Sequence, residues 1–187
     1  DTMFERFGRH ARVAVVLAQE EAKDLSAKLI GPEHLVAGIV QSASRELLDE
    51  LAGVGMTVDS VREQLGANAS GASFESDADA LKSIGIDLHR VRERINHAFG
   101  EGTFDDAVSD SGSRSRRGNL AFSKPAKEAL KLALREAVAH HDSTIDSEHL
   151  LLGVLRGGDP LASALITSHV SEDLLRSNII SLLDRAA

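Results

Sequence analysis

Apolar positions along this chain recur at the helical period. Ala11, Ala14, Ala18, Ala22 and Leu25 fall on one stripe, and Ala126, Ala129, Ala133 and Ala137 on another, with polar and charged residues between them. Spacings of three and four predict an amphipathic helix over each stretch. Small residues on the stripe let a second helix approach closely. Each helix is predicted to end before a polar stretch, SAK at 26–28 and HDST at 141–144. A shorter apolar run then opens at Pro32 or at Ser147. Proline at the first helical position, after Gly31, loses no hydrogen bond, and Asp146 is a favourable N-cap.

The two stretches are copies. Shifting the chain by 115 residues aligns 7–40 with 122–155 without a gap, and twelve of the 34 positions are identical, among them Phe7/Phe122, Glu21/Glu136, Glu33/Glu148, His34/His149 and Gly38/Gly153. A second element recurs at an offset of 30: LAGVGMTVDSVREQL (51–65) matches LKSIGIDLHRVRERI (81–95), with a degenerate third copy at 165–179 carrying Leu175-Arg176 at the Val-Arg position. Gly55 and Gly85 are predicted to end a helix in a left-handed C-cap. The expected fold is all-α, with two pseudo-symmetric four-helix repeats at 3–66 and 120–186. Residues 76–100 are predicted to add a helical hairpin after the first repeat. GANASGASFESDAD (66–79) is small and polar and reads as loose. The Gly/Ser-rich stretch 101–119 reads as a flexible linker.

Composition narrows the function. Hydrophobic residues are 42% of the 187, yet Trp and Tyr are absent and Phe numbers six, so the core is built from Ala, Leu, Val and Ile. A net charge of −8 argues against nucleic acid, whose binding needs a basic face. Without cysteine there is no thiolate nucleophile and no Cys-based zinc site. No apolar run reaches the roughly 18 residues that span a bilayer, and no signal peptide is legible, so a cytoplasmic setting is expected. Asp1 and Thr2, which precede Met3, read as an added remnant, and the Met near the start is expected to mark a natural N-terminus.

Several residues admit two readings. Glu33 and Glu148 stand in the first turn of a predicted helix, where a carboxylate simply suits the dipole; each could instead receive a cation. His34 and His149 follow them, but neighbours on a helix point about 100° apart, so Glu-His cannot chelate as a pair; a buried, hydrogen-bonded histidine is the expected state. His140-His141-Asp142 could attract a metal only opportunistically. RSRR (114–117) is a short basic run in an acidic chain, read as solvated linker. No Ser/His/Asp arrangement is identifiable by spacing, so no enzyme, cofactor or resident metal is expected.

Taken together, MFERFGRHARVAVVLAQEEAKDL (3–25), LIGPEHLVAGIV (29–40) and FSKPAKEALKLALREAVAHHDSTIDSEHLLLGVL (122–155) resemble the Clp N-terminal domain, the substrate- and adaptor-docking domain of ClpC-type unfoldases. The chain carries no GxxxxGK[ST] phosphate loop, so it is not expected to be the ATP-driven motor itself but a free-standing protein of this kind or a fragment cut from something larger. The resemblance implies partners among Clp unfoldase and protease components, their substrates and their adaptors. It also implies that Glu33 and Glu148 bind phosphoarginine on marked proteins, with hydroxyls on the phosphate. Those hydroxyls survive as Ser123 and Ser147 in the second copy and are replaced by Gly8 and Pro32 in the first, which makes Glu148 the stronger expectation. The resemblance further implies a peptide groove at Phe4, Phe122, Arg12 and Lys127, where cyclic peptide antibiotics dock. Such a protein would feed a separate Clp machine or compete with its own N-domain; the rival reading is an interaction protein that keeps the fold and has lost the ligand sites.

Overall fold

The computed structural model describes residues 2–111 and 118–187; Arg114–Arg117 and the rest of 112–117 lie outside the described residues. Among the described residues there are eleven helices: α1 (Thr2–Glu5), α2 (Arg9–Asp24), α3 (Pro32–Ser42), α4 (Arg45–Gly53), α5 (Val58–Lys82), α6 (Leu88–Phe99), α7 (Thr103–Ser111), α8 (Lys124–Ala139), α9 (Ser147–Gly157), α10 (Pro160–Thr167) and α11 (Glu172–Ala186). The fold is all-α, as the periodicity predicts. The chain divides into two compact units, one of residues 1–65 with 118–187 and one of residues 66–117.

In the first unit the duplication is literal. α8 begins 115 residues after α2, α9 after α3 and α10 after α4. The alanine stripes are buried on both long helices. Each presses on the short helix that follows it, and the crossing explains the repeated glycine. A Cβ on Gly38 would collide with the backbone of Ala14, and one on Gly153 would lie 2.7 Å from Ala133 N. Only glycine lets the helices cross this closely. Leu35, Ile39, Leu150, Leu151 and Leu152 are fully buried around the contact of α3 with α9, which joins the repeats. Each contributes about 1.5–3 kcal/mol by leaving water.

A second pseudo-symmetric device ties the last helix of each repeat to the first. Glu21 is buried, and its Oε1 accepts from Arg62 Nε at 2.8 Å, Arg62 Nη2 at 2.7 Å and Gln41 Nε2 at 2.9 Å. Glu136, also buried, accepts from Arg176 at 3.2 Å and Arg156 at 3.4 Å. A buried carboxylate requires such partners. In the copies at Val61-Arg62 and Leu175-Arg176, the recurring pair is therefore a fastening onto the repeated Glu.

The second unit holds the later part of α5 with α6 and α7. Phe74 is its centre: the His89 ring stands edge-on at 4.9 Å, Phe104 at 6.0 Å, and the Arg92 guanidinium lies 4.5 Å from the ring centroid. Arg92 also pairs with Asp105 at 2.6 Å. Two stretches differ from their composition. Residues 66–79 are helical within α5, because alanine, the best helix former, offsets the Gly and Ser between. Thr103–Ser111 of the Gly/Ser-rich stretch forms α7, whose first turn carries Asp105 and Asp106 where the dipole favours them.

Candidate functional site

The helix starts that carry the predicted site residues are brought together by main-chain bonds between repeats. Gly8 N–H donates to Ile145 O at 2.9 Å, and Ile145 N–H to Arg6 O at 2.8 Å. Likewise Ile30 N–H donates to Ala121 O and Ser123 N–H to Ile30 O, both at 2.9 Å. The start of α2 thus lies beside the start of α9, and the start of α8 beside the start of α3. The copies are exchanged: Ser123 stands at the opening of Glu33's helix, and Gly8 at the opening of Glu148's. The alignment groups Ser123 with Glu148, but the fold does not bring Ser123 into the cleft that holds Glu148.

The repeated histidines have a structural task. His34 Nδ1 accepts from the Gly31 N–H at 2.8 Å, and His149 Nδ1 from the Asp146 N–H at 3.0 Å. Each closes its own helix start from the third helical position, as Glu or Gln does in a capping box. An accepting Nδ1 carries no proton, so both rings are neutral with the proton on Nε2. For His149 that Nε2 meets Asp142 Oδ2 at 2.9 Å. Burial lowers the His34 pKa to about 4, against a smaller opposing pull from Glu21. Neither ring has a nitrogen free to act as a base on a neighbouring hydroxyl. Among the described residues no group of three or more His, Asp or Glu is placed to hold a metal ion.

The two glutamates differ. Glu33 is 15% exposed and folds back over Gly31. Burial raises its pKa, its own backbone N–H opposes the rise, and Asp159 adds to it. Glu148 is half-buried, and its Oε1 accepts from the Ser44 hydroxyl at 2.8 Å. It faces a cleft of about 490 Å³ lined also by Glu46, Asp142, Asp146, His10 and Arg185. Ser147 is fully buried. The Asp146 carboxylate fills the space that a side chain at Gly8 would need.

Phe4 and Phe122 come together, their rings stacked at 6.4 Å, with Phe4 39% exposed. Phe7 is buried and meets Phe4 edge-on at 5.0 Å. Arg12 is held by the main chain, its Nε donating to Phe7 O at 2.9 Å. Lys127 is exposed on the first turn of α8. Ser44 and Arg185 escape sequence reasoning. Ser44 announces itself only as a helix cap, and Arg185 reaches the cleft from the far end of the chain.

The profile of the Clp repeat (R) N-terminal domain matches residues 121–187. The ClpA homolog, an ATP-dependent Clp protease ATP-binding subunit of Cyanidium caldarium, is 30% identical over 183 residues, covering 97% of this chain and 17% of that protein. The chloroplastic chaperone protein ClpC1 of Oryza sativa subsp. japonica is 31% identical over 166 residues, covering 89% of this chain and 14% of that protein. The chain therefore spans less than a fifth of the length of these relatives. Among solved structures, the N-terminal domain of the caseinolytic protease associated chaperone ClpD from Arabidopsis thaliana superposes with a TM-score of 0.62 at 21% identity, covering 97% of this chain and 96% of that one. The Hsp104 N-terminal domain from Candida albicans gives 0.59 at 14% identity, covering 95% and 91%. These two likenesses speak for the fold. With the duplicated Glu-His-Leu starts and the sequence matches, they lead to one conclusion: the chain belongs to the Clp N-terminal domain family.

Proposed function

We propose that the chain docks substrates or adaptors of a Clp unfoldase, receiving arginine-bearing segments at its carboxylate-carrying helix starts and apolar side chains on the Phe4–Phe122 pair. The observation that carries this reading is the half-buried Glu148 facing a cleft. A carboxylate held at a fixed angle recognises a guanidinium through paired hydrogen bonds. Exposed aromatic rings supply the apolar part of such contacts. The finer ligands follow from the family. Phosphoarginine is assigned to the opening of α3, where Ser123 stands beside Ile30 and its hydroxyl accepts from Ala126 N–H, leaving its proton for a phosphate. Cyclic peptide antibiotics are assigned to the Phe4–Phe122 face. One observation favours the rival reading, a fold kept without its ligands, at the first of these sites: Glu33 is folded back onto its own helix start behind Pro32.

Calorimetric titration with free phosphoarginine and with an arginine-bearing peptide tests the proposal. Binding of at least one is expected, and it should disappear in the doubly substituted Glu33→Ala, Glu148→Ala chain. Binding of neither ligand to the unsubstituted chain would leave the rival reading standing.

A further inference from the structure

We propose that α6, with the turn before it, is a contact surface for a second copy of this chain. The element that recurs three times is buried in two of its copies. Met56, Val61 and Leu65 lie in the core of the first unit, and so do Val170, Leu175 and Ile179 at the matching positions of 165–179. The remaining copy carries Ile86, Val91 and Ile95 there. Ile86 is 43% and Val91 37% exposed, Ile95 is half-buried, and no residue of α6 is buried. Ile84 and Phe99 extend the same face, at 70% and 77% exposure. Among the described residues of the second unit, Ala78 is the one buried hydrophobic. A unit of this length is marginal even with a full core, so covering this face stabilises it.

Charge names the occupant. α6 carries Arg90, Arg92 and Arg94 against Glu93, while the late part of α5 carries Glu75, Asp77 and Asp79 against Lys82. Two neighbouring helices of one unit are therefore opposite in sign. Arg90, Arg94 and the three α5 carboxylates are all exposed. Their ion pairs within the chain are long, 3.9 Å from Arg90 to Asp87 and 3.6 Å from Glu75 to His89. A surface with both signs side by side is complementary to itself turned about a two-fold axis. The arginines of each α6 then meet the carboxylates of the other copy's α5, and the contact is made twice. A polyanion such as nucleic acid is disfavoured by those same carboxylates.

Sedimentation velocity on the full chain at low salt, from about 1 to about 200 µM, reads the association. The unsubstituted chain should pass from monomer to dimer over that range. Ile86→Glu and Val91→Glu, both at exposed positions, should each weaken the dimer at least about tenfold. A charge swap then tests that the occupant is a second copy. One chain carries Arg90→Glu with Arg94→Glu, another Asp77→Arg with Asp79→Arg, and Arg92 stays in place on Asp105. Each should self-associate less than the unsubstituted chain, and an equimolar mixture of the two should recover the dimer. Circular dichroism checks that each variant folds. A chain that stays monomeric at about 200 µM would overturn the inference. So would a dimer that ignores both Ile86→Glu and Val91→Glu, or a mixture that associates no better than its components. Each of these outcomes leaves ligand docking by the first unit untouched.

Discussion

Replacing Gly153 by alanine should destabilise the first unit, although alanine is the better helix former. The gain is about 1 kcal/mol for Gly→Ala within a helix. Against it stands the crossing of α8 and α9. The added Cβ would run into the Ala129 carbonyl oxygen and lie 2.7 Å from Ala133 N and 3.1 Å from Ala133 Cα. Ordinary carbon contacts begin near about 3.5 Å, so the helices must part by roughly 1 Å. Backbone atoms cannot swing aside as a side-chain tip would, which places the strain at or above the upper end of the about 1–3 kcal/mol typical of overpacking. The net loss is about 2 kcal/mol or more. For a chain of this size that lowers the unfolding midpoint by roughly 4–8 °C, read by circular dichroism at 222 nm. Gly157→Ala is the internal control. It lies on the same helix, and the nearest atom to its added Cβ is Leu132 Cδ1 at 3.9 Å, so it should hold or raise the midpoint. A Gly153→Ala chain as stable as the unsubstituted one would refute the close-crossing argument.

Two further predictions concern the buried polar groups. His34 is neutral when folded, with a pKa of about 4, while the unfolded chain protonates it near about 6.5. Stability is therefore full above about pH 6.5 and falls as pH drops toward 4, by on the order of 3 kcal/mol. Glu33, whose pKa is raised by burial, acts in the opposite sense: its contribution is lost as pH rises through its folded value. His34→Gln keeps an acceptor for the Gly31 N–H and removes the titration, so urea midpoints between pH 7 and 4.5 should fall less steeply in that variant; identical slopes would exclude the assignment. For the Glu21–Arg62 fastening, a double-mutant cycle with Glu21→Gln and Arg62→Met should return a coupling of about 1 kcal/mol, held down by the solvent exposure of Arg62. A coupling indistinguishable from zero would mean that the pair adds nothing to the hold of α5 on α2.

Much of the fold is local and legible in the sequence. The alanine stripes, the Gly31-Pro32 start and the left-handed Gly55 and Gly85, at φ of +83° and +85°, are decided by neighbours within a few residues. Internal duplication then supplied the four-helix repeat twice. Composition misled where propensity and context disagree: GANASGASFESDAD looked loose, but its alanines extend a helix already begun at Val58. The same holds for Thr103–Ser111, whose acidic first turn outweighed the surrounding Gly and Ser.

The candidate site divides along the same line. The chemistry of Glu33, Glu148 and the two histidines could be read from residue type and position, since a carboxylate in a first helical turn and an acceptor at the third helical position follow from the geometry of a single helix. Which hydroxyl faces which carboxylate could not. That pairing is set by hydrogen bonds from Gly8 to Ile145 and from Ser123 to Ile30, across gaps of more than ninety residues. Alignment of the copies suggests that each keeps its own partners, and the fold exchanges them. Ser44 on Glu148 and Arg185 at the cleft are decided the same way, by the packing of helix ends that share no local pattern. Periodicity and caps are properties of adjacent residues, so sequence alone determined the helices and their repeat; a site assembled from distant helix starts exists only once the core of α3 and α9 has closed.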